Sequence, residues 1–230
     1  MILNLIWNSL LTLFFPNLCP GCHRLIGNKD FLCPFCLSSL PYAPYFLSSN
    51  NPVEQRFLGK ININYATAYL TYDKGGITQH IIHSLKYHDN KRLATQMGIM
   101  IAEDLQEAHS PLCDVDVLIP VPLHPRKKRQ RGYNQSECIA QGISSIWNTP
   151  IDTTSIYRTI YTKTQTHKNI QERWINVQNI FHSNHPEHLK NKHVLIIDDV
   201  ITTGATLCAC AQAISDIPGI RISILALSSV

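Results

Sequence analysis

The 230-residue sequence predicts an α/β protein, with a parallel sheet flanked by helices and a small cysteine-rich module in front of it. Segments with the apolar pattern of strands alternate with segments of helical spacing, which is typical of a parallel sheet with right-handed crossovers. Two Cys-x-x-Cys pairs, Cys19 to Cys22 and Cys33 to Cys36, mark the separate module. We expect the module to span residues 1–47 and the main domain residues 61–230.

The first fifteen residues are mostly apolar, with polar interruptions such as Asn4, Asn8 and Thr12. This stretch is shorter than the roughly 20 residues that a spanning helix needs. It also lacks the positive start and the small-residue cleavage site of a signal peptide. No Lys or Arg lines its polar face, so we expect an amphipathic helix that packs on the protein's own core. A cytoplasmic location without stable membrane insertion follows as an expectation.

The cysteine spacing predicts a structural zinc site. The two Cys-x-x-Cys pairs are separated by ten residues, and together they offer four thiolates to a tetrahedral Zn2+. Metal binding would also supply folding energy that so small a segment cannot draw from a core. A haem attachment motif would leave the second pair unexplained, and a redox motif should lie near a βαβ unit. The predicted ligands are Cys19, Cys22, Cys33 and Cys36, and we expect the remaining cysteines in the core, namely Cys113, Cys138, Cys208 and Cys210.

The order of elements follows from hydrophobic periodicity. A polar linker is expected around residues 48–54. Strands are predicted at residues 65–72, 116–121, 154–160, 194–197 and 220–227. Helices are predicted at residues 77–85, 93–105, 136–146 and 205–214.

The most informative segment is the predicted strand 194–197, because two carboxylates, Asp198 and Asp199, follow it directly. Ligands of parallel sheets bind outside the carboxyl ends of the strands, where an acidic pair can accept hydrogen bonds from two ribose hydroxyls. The next helix opens with small residues whose N–H groups can bind phosphate, and no P-loop lysine is present. An alternative is that these residues only cap the helix. The predicted phosphate turn consists of Thr202, Thr203, Gly204, Ala205 and Thr206.

A basic segment follows the predicted strand 116–121. The strand leads into Pro120-Val-Pro-Leu-His-Pro-Arg126, and three prolines after Ile119 stiffen this loop. Cations placed here would stabilise negative charge that develops on a ligand, and the position after a strand favours Arg126 and Arg131 for that role. A solvated or nucleic-acid-binding surface is an equally good interpretation of the run as a whole. Its cations are Arg126, Lys127, Lys128, Arg129 and Arg131.

The long crossover between the predicted strands 154–160 and 194–197 shows no clear helix. Such a segment suggests a lid, which would exclude water from an activated ribose. An ordinary surface excursion is the alternative. The candidate residues on this segment are Lys163, Gln165 and Arg173.

Residues 194–206 resemble the signature of type I phosphoribosyltransferases, which bind phosphoribosyl pyrophosphate (PRPP) with Mg2+. The order of motifs resembles the ComF/GntX family of competence-associated, phosphoribosyltransferase-like proteins across nearly the whole chain. The resemblance rests on the paired Cys-x-x-Cys motifs, Leu85-Lys-Tyr87, the proline loop, Arg131-Gly-Tyr-Asn-Gln135 and the acidic signature. It implies a type I phosphoribosyltransferase fold with an N-terminal zinc ribbon.

The resemblance also implies roles for individual residues. Asp198 and Asp199 would be the catalytic pair at the ribose hydroxyls, and Thr202 to Thr206 would bind the 5′-phosphate. Lys86 and Arg131 are further candidates for the lid or the pyrophosphate. Thr202 stands where purine-salvage relatives carry an Asp that assists the base, so base activation of that type is not expected. The pyrophosphate loop would consist of Val121, Pro122, Leu123, His124 and Arg126.

Two functions are consistent with this sequence. The first is a protein that binds Mg2+ and PRPP and acts in DNA uptake and natural transformation, with single-stranded DNA or competence-machinery proteins as partners. The second is an active phosphoribosyltransferase of nucleotide or nucleoside metabolism with an unknown acceptor. A purely structural zinc protein would leave the acidic signature unexplained. The net charge of +4 suits an anionic ligand without demanding one, and neither the acceptor nor the oligomeric state follows from the sequence.

Overall fold

The computed structural model describes residues 16–159 and 180–230. Within these residues the main sheet has four parallel strands in the order β1, β6, β5, β2. A separate antiparallel pair, β3 and β4, lies outside this sheet. The strands are β1 Tyr65–Thr71, β2 Val117–Pro120, β3 Ile156–Arg158, β4 Phe181–Ser183, β5 His193–Ile201 and β6 Arg221–Ser229.

Seven α-helices are assigned in the described residues, together with the 3-10 helices Pro111–Asp114 and Pro186–Leu189. Asn51, Asn90 and Asn134 each accept a hydrogen bond from a backbone N–H of the helix that follows, which satisfies donors that a helix start otherwise leaves unpaired. The helices are α1 Pro34–Ser38, α2 Pro52–Gln55, α3 Ile77–Tyr87, α4 Lys91–Glu107, α5 Pro125–Arg131, α6 Gln135–Trp147 and α7 Ala205–Gln212.

The main sheet is covered on both faces. Leu195 and Ile197 pack into one core cluster with residues of α3, α4 and α6, whereas Val194 and Ile196 pack into a second cluster with residues of α7. This alternation follows from the period of two along a strand. Burial on both sides is the expected state of a parallel sheet, and it holds for β1 as well, where six of the seven residues are buried.

Helices α4 and α6 cross at very close range. A Cβ atom on Gly98 would collide with the carbonyl oxygen of Ile139, and one on Gly142 would collide with the carbonyl oxygen of Thr95. Glycine is therefore required at both positions, because only a residue without a side chain lets two backbones approach this closely. The crossing fixes where α6 begins, and α6 begins at the carboxyl end of β2.

The cysteine module packs on the main domain. Cys19 and Cys36 belong to the same core cluster as Ile81 of α3. The Nδ1 atom of His80 lies 2.8 Å from the carbonyl oxygen of Gly21. The guanidinium of Arg92 on α4 donates to backbone carbonyls of the module. The module therefore contacts both α3 and α4.

Irregular segments pair with the two outer strands of the main sheet. Tyr42 forms an antiparallel bridge with Leu70 of β1, and Ile151 forms a parallel bridge with Leu118 of β2. Hydrogen bonds support both, including the one from the Ala43 N–H to the Tyr69 carbonyl at 2.9 Å. Both edges of the sheet are thus occupied by other parts of the chain.

The predicted strand 194–197 extends to Ile201, so Asp198 and Asp199 lie inside it and do not follow it. The structure differs from the sequence prediction at three further places. The predicted strand 154–160 is shorter, because Asp152 accepts hydrogen bonds from the N–H groups of Thr154 and Ser155 and holds this part in a turn. Its remainder, β3, pairs with β4, which was not predicted, and does not join the parallel sheet. The basic run forms helix α5, and the predicted linker contains α2, whose Val53 is fully buried.

Several predictions fall outside the described residues. They are the N-terminal helix and the lid candidates Lys163, Gln165 and Arg173. Among the residues that are described, no helix combines the length and the apolar character needed to cross a membrane.

Candidate functional site

The acidic pair lies inside β5, because this strand continues to Ile201. Asp199 is 8% exposed, and its carboxylate forms an ion pair with the Lys86 ammonium of α3 at 3.3 Å. The carboxylate of Asp198 accepts hydrogen bonds from the Ser136 hydroxyl at 3.1 Å and from the Asp199 N–H at 2.9 Å. Since neighbouring strand residues point to opposite faces, the two carboxylates lie in different surroundings.

The surroundings of Asp198 make it a weaker acid than an ordinary aspartate. Burial, and then the negative charge of Asp199, raise the pKa of Asp198 to about 7. A carboxyl group with such a pKa exchanges its proton near neutral pH. Asp198 can therefore act either as a hydrogen-bond donor or as an acceptor toward a ligand hydroxyl, while the carboxylate of Asp199 is held by its ion pair with Lys86.

The turn after β5 has the geometry of an anion site. Gly204 has a φ of 81°, a left-handed conformation that glycine adopts without strain. Gly204 is also the N-cap of α7, so the cap residue offers no side-chain acceptor to the first-turn N–H groups. Thr203 accepts one hydrogen bond, from the Ala205 N–H at 3.3 Å. N–H groups at a helix start favour a phosphate.

Arg56, which follows α2, holds this turn in place. Its guanidinium donates to the carbonyl oxygens of Ile201 and Thr202 on one side, and to Ser229 and Val230 at the end of β6 on the other. The neighbouring Phe57 ring lies 3.4 Å from the position that a Cβ atom on Gly204 would occupy. The sequence prediction gave Arg56 and Phe57 no role, because they lie between the predicted linker and the predicted main domain, and nothing local indicates a contact across 145 residues.

Further cations lie near Lys86, which forms the ion pair with Asp199. Burial lowers the pKa of Lys127 to about 8, with further contributions from the positive charges of Arg158, Arg131 and Lys86. Lys86, Lys127 and Arg131 line a common cavity of about 330 Å3. Its lining residues are Lys86, Tyr87, His88, Asp89, Lys127, Gln130 and Arg131.

Helix α5 separates the predicted cations into two groups. Arg131 lines the cavity, as does Lys127, which lies one helical turn earlier on the same face. Arg126 is exposed, and Lys128 forms an ion pair with Glu137 at 3.2 Å. Sequence reasoning had favoured Arg126 and Arg131, and Lys127 emerges only once the run is known to be helical. The spacing of four residues between Lys127 and Arg131 could have indicated that both lie on one face of a helix.

The proline loop joins the site through the backbone. The N–H of Val121 donates to the Ile197 carbonyl at 2.9 Å, so the loop begins beside the middle of β5, next to Asp198. His124 is the N-cap of α5, and its Nδ1 accepts the Arg126 N–H at 3.2 Å. Pro122 and Leu123 are half-buried between these two points.

The Arg131-Gly-Tyr-Asn-Gln135 segment positions Lys86. The Tyr133 hydroxyl and the Gln135 amide both donate to the carbonyl oxygen of Leu85, at 2.6 Å and 3.0 Å. The Asn134 amide donates to the Val121 carbonyl at 3.0 Å. The end of α3 and the proline loop are therefore attached to the same five residues.

The predicted zinc ligands lie together. The four Sγ atoms of Cys19, Cys22, Cys33 and Cys36 all lie within 4.8 Å of one another, and those of Cys22 and Cys33 are 3.6 Å apart. Four sulfurs around a tetrahedral Zn2+ at about 2.3 Å are about 3.8 Å apart. The donor set thus fits a zinc ion.

Among known proteins, this chain is similar to phosphoribosyltransferases. The purine phosphoribosyltransferase from Pyrococcus horikoshii is 19% identical, with a TM-score of 0.34, and the alignment covers 59% of this chain and 81% of that one. The adenine phosphoribosyltransferase from Leishmania tarentolae is 12% identical, with a TM-score of 0.36, and the alignment covers 78% of this chain and 88% of that one. The family model of the phosphoribosyl transferase domain matches residues 140–226. The protein therefore contains a phosphoribosyltransferase domain of the type I fold, behind a four-cysteine module consistent with a zinc ribbon.

Curated relatives extend the match to most of the chain. DNA utilization protein YhgH of Escherichia coli O157:H7 is 32% identical over 197 residues, which cover 85% of this chain and 82% of the relative. Competence protein F of Haemophilus influenzae is 27% identical over 201 residues, which cover 83% of this chain and 80% of the relative. The chain belongs to the ComF/GntX family of phosphoribosyltransferase-like proteins, which confirms the resemblance seen in the sequence.

Proposed function

We propose that this protein binds PRPP with Mg2+ at the carboxyl ends of β2 and β5 and acts in the handling of single-stranded DNA during DNA uptake. One observation carries the PRPP assignment. A buried acidic pair lies between a phosphate-type turn and a group of cations. PRPP has the matching order of groups, since a ribose with free hydroxyls separates its 5′-phosphate from its pyrophosphate.

Each part of the ligand has a chemical counterpart in the site. The N–H groups at the start of α7 suit the 5′-phosphate. Asp198 and Asp199 suit the ribose hydroxyls, because carboxylates accept two hydrogen bonds from a diol. Lys86, Lys127 and Arg131 suit the pyrophosphate.

Magnesium fits the donor set at the same place. Mg2+ prefers oxygen ligands and keeps several waters, so it is commonly bound by one or two carboxylates together with substrate phosphates. Asp198 or Asp199 would hold it, directly or through water, and the ion would neutralise charge on the pyrophosphate. The cations on α3 and α5 would share that task.

The role in DNA handling is supported by the names of the relatives and by the outer face of α5. YhgH is described as a DNA utilization protein, and a further relative as competence protein F. Arg126, Lys128 and Arg129 are exposed on α5, and exposed cations attract the phosphates of a nucleic acid. A cytoplasmic location belongs to the same proposal, because none of the eight cysteines forms a disulfide.

The alternative is an active phosphoribosyltransferase, and the raised pKa of Asp198 favours it. In such a reaction the bond from the anomeric carbon to pyrophosphate breaks. A bond to the acceptor forms, and the acceptor gives up a proton. Asp198 can take that proton near neutral pH, since its pKa is about 7. The exposed Thr202 offers no carboxylate for the task.

Thermal unfolding with and without Mg2+ and PRPP tests the binding site. A ligand at 100 times its Kd stabilises the folded state by about 2.7 kcal/mol, so PRPP should raise the Tm by several degrees. The double variant Asp198→Asn and Asp199→Asn should lose this shift, whereas Glu103→Gln on the exposed side of α4 should keep it. An unchanged Tm of the native protein at millimolar PRPP would refute the site.

Two further assays separate the two functions. Pyrophosphate release from PRPP with a panel of nucleobases, ammonia and single-stranded DNA would establish transfer and identify the acceptor class. Anisotropy of a labelled oligonucleotide at increasing salt tests DNA binding, whose affinity should fall steeply. Replacement of Arg129 by Ala should reduce that affinity without changing the PRPP shift, and salt-insensitive binding would count against the DNA role.

A further inference from the structure

A second cavity lies between the first zinc knuckle and α3, apart from the acidic pair. It has a volume of about 290 Å3, and four of the residues that line it are histidines. The side chains around it include no carboxylate, lysine or arginine. Its histidines are His23, His80, His83 and His88, and its other lining residues are Leu18, Cys19, Pro20, Ser84 and Asn90.

The imidazole rings have spacings close to those of metal ligands. The ring centroids of His23 and His80 are 5.6 Å apart, and those of His83 and His88 are 5.4 Å apart. Two imidazoles bound to one tetrahedral ion at about 2.0–2.1 Å have centroids about 5 Å apart. His80 and His83 belong to α3 with a spacing of three residues, which places them on one face of the helix.

His80 has the second hydrogen bond that metal-binding histidines commonly have. Its Nδ1 lies 2.8 Å from the carbonyl oxygen of Gly21, and because a carbonyl only accepts, Nδ1 must carry the proton. In the neutral imidazole, Nε2 is then the nitrogen without a proton, and it can bind a metal. A ring nitrogen that donates to a backbone carbonyl fixes both the tautomer and the ring orientation of a metal ligand.

We propose that this cavity is a second metal site, separate from the four cysteines, for a transition-metal dication such as Zn2+, Co2+ or Ni2+. Imidazole nitrogens suit these ions, whereas Mg2+ and Ca2+ require oxygen ligands that the cavity does not supply. His80 and His83 are the central ligands, and His23 and His88 complete the set from the two flanking loops.

Closure on an ion requires the side chains to rotate. Among the described residues, the four cysteines form the one group whose ligand atoms all lie within 4.8 Å of one another, so the imidazoles must turn toward a common point. His23, His83 and His88 are exposed and His80 is half-buried, which leaves three of the four rings free to change rotamer. A site assembled in this way binds more weakly than the cysteines, and it fills second.

Titration of the zinc-loaded protein with Co2+ tests the proposal. We expect one further equivalent to bind with a Kd below about 10 µM, together with the weak d–d absorption of Co2+ held by nitrogen. Thiolate-to-cobalt absorption reports any exchange at the cysteines, and a zinc assay by mass spectrometry confirms that they remain filled. Failure of the native protein to bind a further equivalent would overturn the proposal.

Variants identify the ligands. His83→Ala and His80→Ala should each weaken Co2+ binding at least about tenfold, while His182→Ala, which removes an exposed histidine of β4, should leave it unchanged. His80→Ala also removes a hydrogen bond to the zinc knuckle. His83→Ala does not, so it gives the decisive result. Native-like Co2+ affinity in the His83→Ala variant would overturn the assignment.

Discussion

Replacement of Arg56 by Ala tests whether α2 and the turn at Thr202 depend on each other. The guanidinium makes four hydrogen bonds, two to carbonyl oxygens at the end of β5 and two to the last residues of the chain. Arg56→Ala would leave these acceptors to water, and it would free the backbone that presents Gly204 to a phosphate.

The size of the effect follows from the number and exposure of these bonds. Hydrogen bonds to a charged group contribute about 1.5–3 kcal/mol each when buried, but Arg56 is only half-buried and water replaces part of the loss. We therefore expect Arg56→Ala to lower the free energy of unfolding by about 2–3 kcal/mol. Arg56→Lys should lose nearly as much, because an ammonium cannot make the forked contacts of a guanidinium.

Urea unfolding measures the free energy of unfolding, and the PRPP-induced shift in Tm reports whether the turn at Gly204 still binds phosphate. Arg92→Ala is the matched control, since Arg92 also donates to two backbone carbonyls, but in the cysteine module. Arg92→Ala should cost stability and keep the PRPP shift, whereas Arg56→Ala should reduce both. A loss below about 0.5 kcal/mol for Arg56→Ala, with an unchanged PRPP shift, would refute the role of this contact.

Three further perturbations address other parts of the molecule. Lys86→Ala should weaken PRPP binding at least about tenfold by isothermal calorimetry, while Lys91→Ala, at an exposed ion pair, should not. Gly142→Ala should lower the free energy of unfolding in urea by about 2 kcal/mol or more, because its Cβ would collide with α4. Ser145→Ala on the same helix is the control, and an equal loss of stability in the two variants would contradict the close crossing. Burial lowers the pKa of His193, so the unfolded chain binds a proton at this residue more readily than the folded protein does. The free energy of unfolding should therefore fall as the pH drops below about 6.5. The free energy of unfolding of the native protein and of His193→Gln is compared between pH 7.5 and 5.5. Asp198 contributes a slope of opposite sign to both proteins, so the difference between the two slopes reports His193. Equal slopes would contradict the assignment.

The sequence was sufficient for features that are encoded locally. Strand β5 and the turn at Gly204 were predictable, because burial, acidity and small residues follow one another within a few positions. The four cysteines were predictable for the same reason, since the two pairs are only ten residues apart. In each of these cases the residues that act together are also neighbours in the chain.

The missed residues depend on contacts between distant segments. Arg56 reaches the end of β5 across 145 residues, and no periodicity indicates such a contact. Lys127 required knowledge that the basic run is helical, and a run of four cations has no apolar face to predict a helix. Strand β3 was assigned to the wrong sheet because an apolar pattern identifies a strand but not its partner.

The pairing of irregular segments with both outer strands restricts how two copies of this protein can associate. An open edge strand offers unpaired N–H and C=O groups on which another chain can add a strand. Here Tyr42 lies along β1 and Ile151 along β2, so a neighbouring molecule would first have to displace them. A continuous sheet through two copies is therefore disfavoured, and so is edge-to-edge aggregation. Self-association would have to use helices, loops or the cysteine module instead.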